Sequence, residues 1–474
     1  MVASTPERAA RAGLCHTGWV SSDPPADEAI AEALARLSVV DAVAAHDARV
    51  ALEWLVGDEG LEGLNQLALQ QFCWYELPFK WLVAPDVRSE IVAALARFLD
   101  LAGFDRYATL CRSDRTAAVL AAWAEDPDAG FRAFRLAMER SGVEPPRLDG
   151  WSDGWAWGSS MGADEHRAFW STAMALELAI EAGTLAPGEP GWREDQHHIA
   201  EDHLRLPRPE LLGESLLQAA TSARLVAWVD GPPVRASARA RRQLVAPLVN
   251  ALLQPVEPPR SAARCLAPIR WLLEQVAANG SIALTQRGNL PRGLVQGAVE
   301  QFPSWWDDAE NAPQRDAEVP ALLAIWHLAR RLKVVRRAGR HVTVTRRGEV
   351  LLADVGQLWG SVASVLGERD DFEAAVAELV WAVLVQDPLV AVSDLQAEVA
   401  VALTETGWQH GPTGAPVSAA TLAFVIDELV TLAEALGLVR RKGRSTAPQL
   451  RLSPSGRVMA LSLLRCRALA PAPG

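Results

Sequence analysis

Tyrosine and cysteine are among the scarcest residues of this 474-residue sequence, with two Tyr and five Cys against eighteen Trp. The cysteines Cys15, Cys73, Cys111, Cys265 and Cys466 form no C-x-x-C pair and no zinc spacing. That excludes zinc ribbons and thioredoxin-type redox motifs, and an odd, sparse set points to reduced thiols in a cytoplasmic protein. No apolar run reaches the roughly 20 residues a bilayer span requires. The richest stretch, Ala375 to Val385, is short and carries Glu378. The N-terminus lacks a basic start followed by an apolar segment, so a secretory leader is not expected. A Gly-rich phosphate loop is also missing. Strict apolar/polar alternation is nearly absent from residues 28–254, which predicts few strands there.

Hydrophobic residues are plentiful, at half of the total. That is ample for packed cores, and many of the tryptophans are expected as core or interface anchors. The net charge of −12 is unevenly spread: residues 1–234 carry about −17 and residues 235–474 about +5. An acidic front repels nucleic acid and anionic membranes, whereas a mildly basic back half tolerates them. Residues 1–27 read as a disordered tail, polar and Ala-rich. Helical spacing begins near Asp27, with Ile30, Leu34, Leu37 and Val40, and recurs to about residue 228. This predicts a mainly α chain whose residues 28–254 form an α-helical domain, with a sub-boundary near 145–165. Gly103 is placed as a helix C-cap. Residues 187–209 and 230–242 read as polar connections, and Pro255, Pro258 and Pro259 mark the best domain boundary.

The remainder carries one pattern twice, over 260–365 and 366–470. Each copy runs through helices to a short basic hairpin and a closing helix. The first reads Val334-Val-Arg-Arg-Ala-Gly-Arg340, then Val344-Thr-Arg-Arg-Gly348. The second reads Leu438-Val-Arg-Arg-Lys-Gly-Arg444, then Leu452-Ser-Pro-Ser-Gly456. So small a hairpin is not stable alone and must pack on helices. Thr or Ser after its second strand can cap the next helix. Two tandem winged-helix-like modules with small β-hairpin wings are therefore expected. Within the first, Leu284-Thr-Gln-Arg-Gly288, Leu328-Ala-Arg-Arg-Leu332, Thr345-Arg-Arg-Gly348 and Leu358-Trp359 carry a resemblance. Residues 268–360 resemble the C-terminal region of the plasmid ORF-3-like family of actinobacterial plasmid-encoded proteins, also called insertion-element passenger (TnpR-like) proteins. The resemblance implies fold and lineage rather than an activity.

Basic wings suggest sequence-tolerant binding of duplex DNA through phosphates. The candidate contacts are Arg336, Arg337, Arg340, Arg346 and Arg347 in the first module, and Arg440, Arg441, Lys442, Arg444 with Arg451 in the second. The competing reading makes the modules packing units with solvated tips. The helix before each wing discriminates, because it should read bases in the major groove. Residues 319–332 are apolar until Arg330, and the second equivalent carries Asp427, Glu428 and Glu434. The first module is thus the better candidate for duplex DNA.

Other chemistry is incomplete. His197, His198, Glu201, Asp202 and His203 have helical metal-ligand spacing, but no second ligand cluster exists elsewhere in the sequence. Gly158-Ser-Ser-Met-Gly162 matches a nucleophile elbow without the alternating strands and helices that motif needs. Trp151, Trp155, Trp157 and Trp170, and separately Phe72, Trp74, Tyr75, Phe79 and Trp81, can either pack or line a pocket. The leading expectation is a non-enzymatic DNA-associated or regulatory protein without cofactor or membrane partner. Its acidic N-terminal domain would bind a protein partner or ligand. A protein-interaction scaffold is the alternative, and a metal-dependent enzyme a third class; oligomeric state is undetermined.

Overall fold

The computed structural model describes residues 24–56, 61, 63–148, 155–231, 238–306, 308, 310–367, 372–410, 415–442 and 447–471. Most of the expected tail, Trp151 and Arg444 lie outside these. The fold is mainly α. Among the described residues, the β structure is two three-stranded sheets, one small hairpin and two isolated bridges, Leu148 with Trp155 and Pro207 with Ser215. The chain forms two compact units, Met1–Pro146 with Ala163–Leu217, and Arg147–Gly162 with Gln218–Gly474.

The first unit contains α1 (Pro24–Val40), α2 (Ala42–Val56), α3 (Gln66–Gln71) and α4 (Leu77–Lys80), the last two joined by a π-helical turn, Phe72–Glu76. There follow α5 (Pro85–Leu101), α6 (Asp105–Arg112), α7 (Asp114–Glu125), α8 (Pro127–Glu139), α9 (Ala163–Glu181) and α10 (Trp192–Arg205). Local chemistry sets several of these ends. Ser113 caps α7 by accepting from the Thr116 amide, and Asp126 caps α8 ahead of Pro127. Gly103 ends α5 at φ +83°, as expected for a left-handed C-cap. Trp74 and Trp123 are buried, and each spends its ring N–H internally, on Thr116 Oγ1 and on the Trp74 carbonyl. α10 corrects the expectation of an irregular connection over 187–209. Gln196, Ala200 and Leu204, four apart, are buried beneath an otherwise polar helix.

The second unit opens with 147–162 and α11 (Leu216–Asp230), which starts at the boundary between units. α12 (Arg239–Val245), α13 (Val249–Leu252) and α14 (Ala262–Cys265) follow. α12 replaces part of the connection expected over 230–242, because Arg241 is drawn inward to the buried Glu378 at 2.7 Å.

The first module then runs α15 (Ala267–Ala278), β1 (Ile282–Ala283), α16 (Arg292–Gln301), α17 (Pro320–Arg331), β2 (Val335–Ala338), β3 (His341–Val344), α18 (Arg346–Ala353) and α19 (Val355–Gly367). The second runs α20 (Phe372–Gln386), β4 (Val390–Ala391), α21 (Val392–Glu405), hairpin β5 (Gln409–His410) and β6 (Ala415–Pro416), α22 (Ala419–Ala435), β7 (Val439–Lys442), β8 (Gln449–Leu452) and α23 (Pro454–Ala468).

The sheets have equivalent antiparallel orders, β1-β3-β2 and β4-β8-β7. In each, the strand ahead of the module's second helix pairs with the far strand of the hairpin. α23 closes the unit. Its Arg465 is 1 % exposed and donates to the Leu252 carbonyl, while Arg467 and Arg241 share Glu378. Such a buried triad is stable only because each charge keeps a partner.

Candidate nucleic-acid interface

The hairpin expected as a wing in each module (wing 1, β2–β3; wing 2, β7–β8) is held by one recurring device. In the first, the chain leaves helix α17 through its C-cap Leu332 and then Lys333, whose φ is +56°, and turns into β2. The Thr345 amide donates to the Val334 carbonyl at 2.9 Å. The Thr345 hydroxyl donates to the Lys333 carbonyl at 2.8 Å and accepts from the Gly348 amide at 3.1 Å, capping α18. In the second, Ser453 repeats the arrangement with the Leu438 carbonyl and the Gly456 amide. A Cβ on Gly348 would stand 2.5 Å from the Val334 carbonyl oxygen, and one on Gly456 closer still to that of Leu438. The shared Thr/Ser-x-x-Gly motif is therefore a clasp that fastens the hairpin to the helix after it.

The charges on this scaffold differ between modules. Arg336, Arg337 and Arg340 lie on wing 1, and Arg346 and Arg347 open α18; all five are exposed. Among the described residues, none of the five has a carboxylate at ion-pair distance. Arg337 donates to the Gly339 carbonyl at 2.8 Å. Its guanidinium lies beside Gly288, in the Thr285–Asn289 turn between β1 and α16. That turn carries exposed Arg287, a further cation that reading the hairpins alone did not find. Its signal was the Thr-Gln-Arg-Gly turn itself. Module 2 has no such turn, because α21 starts directly after β4.

On wing 2, Arg440, Arg441 and Lys442 are exposed. Arg441 is nevertheless taken up internally: it donates to Asp427 Oδ1 at 2.7 Å and to Glu434 Oε2 at 3.0 Å, both on α22. Partial burial disfavours its charge, but the two carboxylates outweigh this and hold its pKa above the ordinary value. With Val335 aligned to Val439, Arg337 matches Arg441, while Leu323 and Arg330 stand where Asp427 and Glu434 would be. The first module thus has Arg330 where the second has Glu434, one of the two acids that pair with Arg441.

Helices α17 and α22 also pack on each other, with a cleft of about 670 Å³ along their contact. Leu323, Ala324 and His327 line one wall and Asp427, Glu428 and Leu432 the other.

The remaining candidates disperse. Glu201 pairs with Arg205 at 2.6 Å, His198 is exposed and His197 half-buried. His203 lies 2.8 Å from Ser171 Oγ and 3.0 Å from the Arg208 guanidinium. Burial, and then the charge of Arg208, push its pKa down to about 4, so the ring is neutral at pH 7. Among the described residues no three His, Cys, Asp or Glu side chains converge as a metal site. Ser159 and Ser160 are exposed ahead of α9 without a preceding strand. Trp155 is buried with Arg224 stacked 3.9 Å over its ring, which fills the face a ligand would use. Tyr75, Phe79, Phe131 and Phe134 form a ring cluster against Trp123, with Phe79 partly exposed.

Residues 261–357 match the family model described as the Y4jL N-terminal domain. The match runs from just before α14 to the start of α19. No curated protein and no solved structure matches the chain. Among the described residues, no helix is long and apolar enough to cross a membrane.

Proposed function

We propose that this chain is a non-enzymatic, DNA-associated protein that contacts duplex phosphates through the wing of its first module. The observation that carries this reading is the set of five exposed arginines without carboxylate partners among the described residues, gathered on one hairpin and the helix turn after it, in an acidic chain. The order helix, short strand, two helices, hairpin, with the first strand paired to the last, supports reading both modules as winged helices. Within the same proposal, the acidic N-terminal helical region binds a protein partner or ligand, the protein is cytoplasmic, and the likeness to plasmid ORF-3-like proteins marks its lineage. The internal neutralisation of Arg441 favours a scaffolding role for the second module.

The test is fluorescence anisotropy of the full chain with a random duplex across salt. The five arginines alone give a log–log slope of about −4.5, or an affinity loss of about 500-fold between 50 and 200 mM salt, and each further cation in contact steepens it by about 0.9. Replacing Arg336, Arg337 and Arg340 by Ala removes three contacts, and the slope should shrink by about 2.7. Absence of binding at 25 mM salt (about a Debye length of 20 Å) by the folded protein overturns the proposal.

A further inference from the structure

We infer that the second module is a built-in cover for the reading helix of the first, so that a bound duplex is held by its backbone and its sequence is not read. This rests on the duplex-binding proposal above and adds the mode of contact. In a winged helix the exposed side of the helix before the wing enters the major groove. On α17 the side chains that are not buried in their own module nearly all line the cleft shared with α22: Leu323 and Ala324 are half-buried along it, His327 keeps exposed surface, and Arg330 and Arg331 stand at its end. A major groove about 12 Å wide admits one helix about 10–12 Å in diameter, not a packed pair. The chemistry agrees with the geometry. Leu323 and Ala324 offer no donor or acceptor to a base edge. Asp427 and Glu428 on α22 face the cleft, and carboxylates there repel phosphates. Arg331 is already bonded to the Val365 carbonyl at 2.6 Å. What stays open to a duplex is a set of cations, Arg336, Arg337, Arg340, Arg346 and Arg347 with the nearby Arg287 and Lys333 and, at the end of the cleft, Arg330, a set that suits phosphate oxygens.

The experiment is selection of the full chain against a randomised 20-base-pair duplex library, followed by anisotropy on an A·T-rich and a G·C-rich duplex. No enriched motif, affinities within about threefold and equal salt slopes are expected. His327→Ala and Leu323→Ala should leave affinity unchanged, while Arg340→Ala should lower it on both duplexes alike. An enriched motif whose preference over random duplex falls tenfold or more in His327→Ala overturns this inference and leaves the proposed function standing. A folded chain that binds neither duplex at low salt overturns both.

Discussion

Lys333 holds a backbone conformation that its own side chain disfavours. Its φ of +56° is left-handed, and the equivalent residue of the second module is Gly437 at +66°. A non-glycine residue there costs about 1–2 kcal/mol, because Cβ crowds the following carbonyl. The turn itself does not need the lysine, since Gly437 makes the same one, with the amide of the next residue returning to the helix in both. What the lysine adds is a charge at the root of the wing, between Arg330 and Arg336. Lys333→Gly is therefore expected to raise stability by about 1 kcal/mol in denaturant unfolding and to reduce the duplex salt slope by about 0.9. A variant that is more stable but binds as before would place Lys333 outside the interface. One with no gain in stability would show that the turn carries no such strain.

At the scale of the element, the clasp explains why the hairpin and the helix after it recur together. Gly348→Ala and Gly456→Ala each force a methyl group against a backbone carbonyl that cannot swing aside. Each should cost about 1–3 kcal/mol, as overpacking does, measured by thermal unfolding. Equal stability to the parent would mean that the wings are not fastened here. This part of the fold was legible because it is local: β-branched runs, Gly339 in the tight turn and a hydroxyl three residues before a glycine all lie within one short window. The helices of the second module were legible for the same reason, each marked by apolar spacing. Helix α10 was not, because the buried stripe of Gln196, Ala200 and Leu204 is short and hidden among charged residues. The site was only half legible. The cations of wing 1 stand in the sequence as a run, but the partners that quench Arg441 lie seven and fourteen residues away on α22. The cleft joins helices about a hundred residues apart, which no local pattern reveals.

For the whole molecule, the proposed duplex binding has to coexist with a net charge of −12. Surface charges act within about 8–10 Å at ordinary ionic strength, so a basic patch can bind while the rest of the chain limits its strength. Under the proposed function, the second module contributes less because carboxylates of α22 take up Arg441, the central cation of its hairpin. The ion pairs of Arg441 with Asp427 and Glu434 are solvent-exposed, and such pairs contribute at most about 1 kcal/mol each. They can therefore be removed without unfolding the module. Asp427→Asn with Glu434→Gln deletes two negative charges and releases Arg441. Duplex affinity at 50 mM salt should rise several-fold and the salt slope should steepen by about one contact. Adding Arg441→Ala to the pair should return the slope to the parent value while keeping part of the gain, because the repelling carboxylates are still gone. If the double variant binds duplex no more tightly than the parent, wing 2 faces away from the nucleic acid, and the basic surface is that of the first module alone.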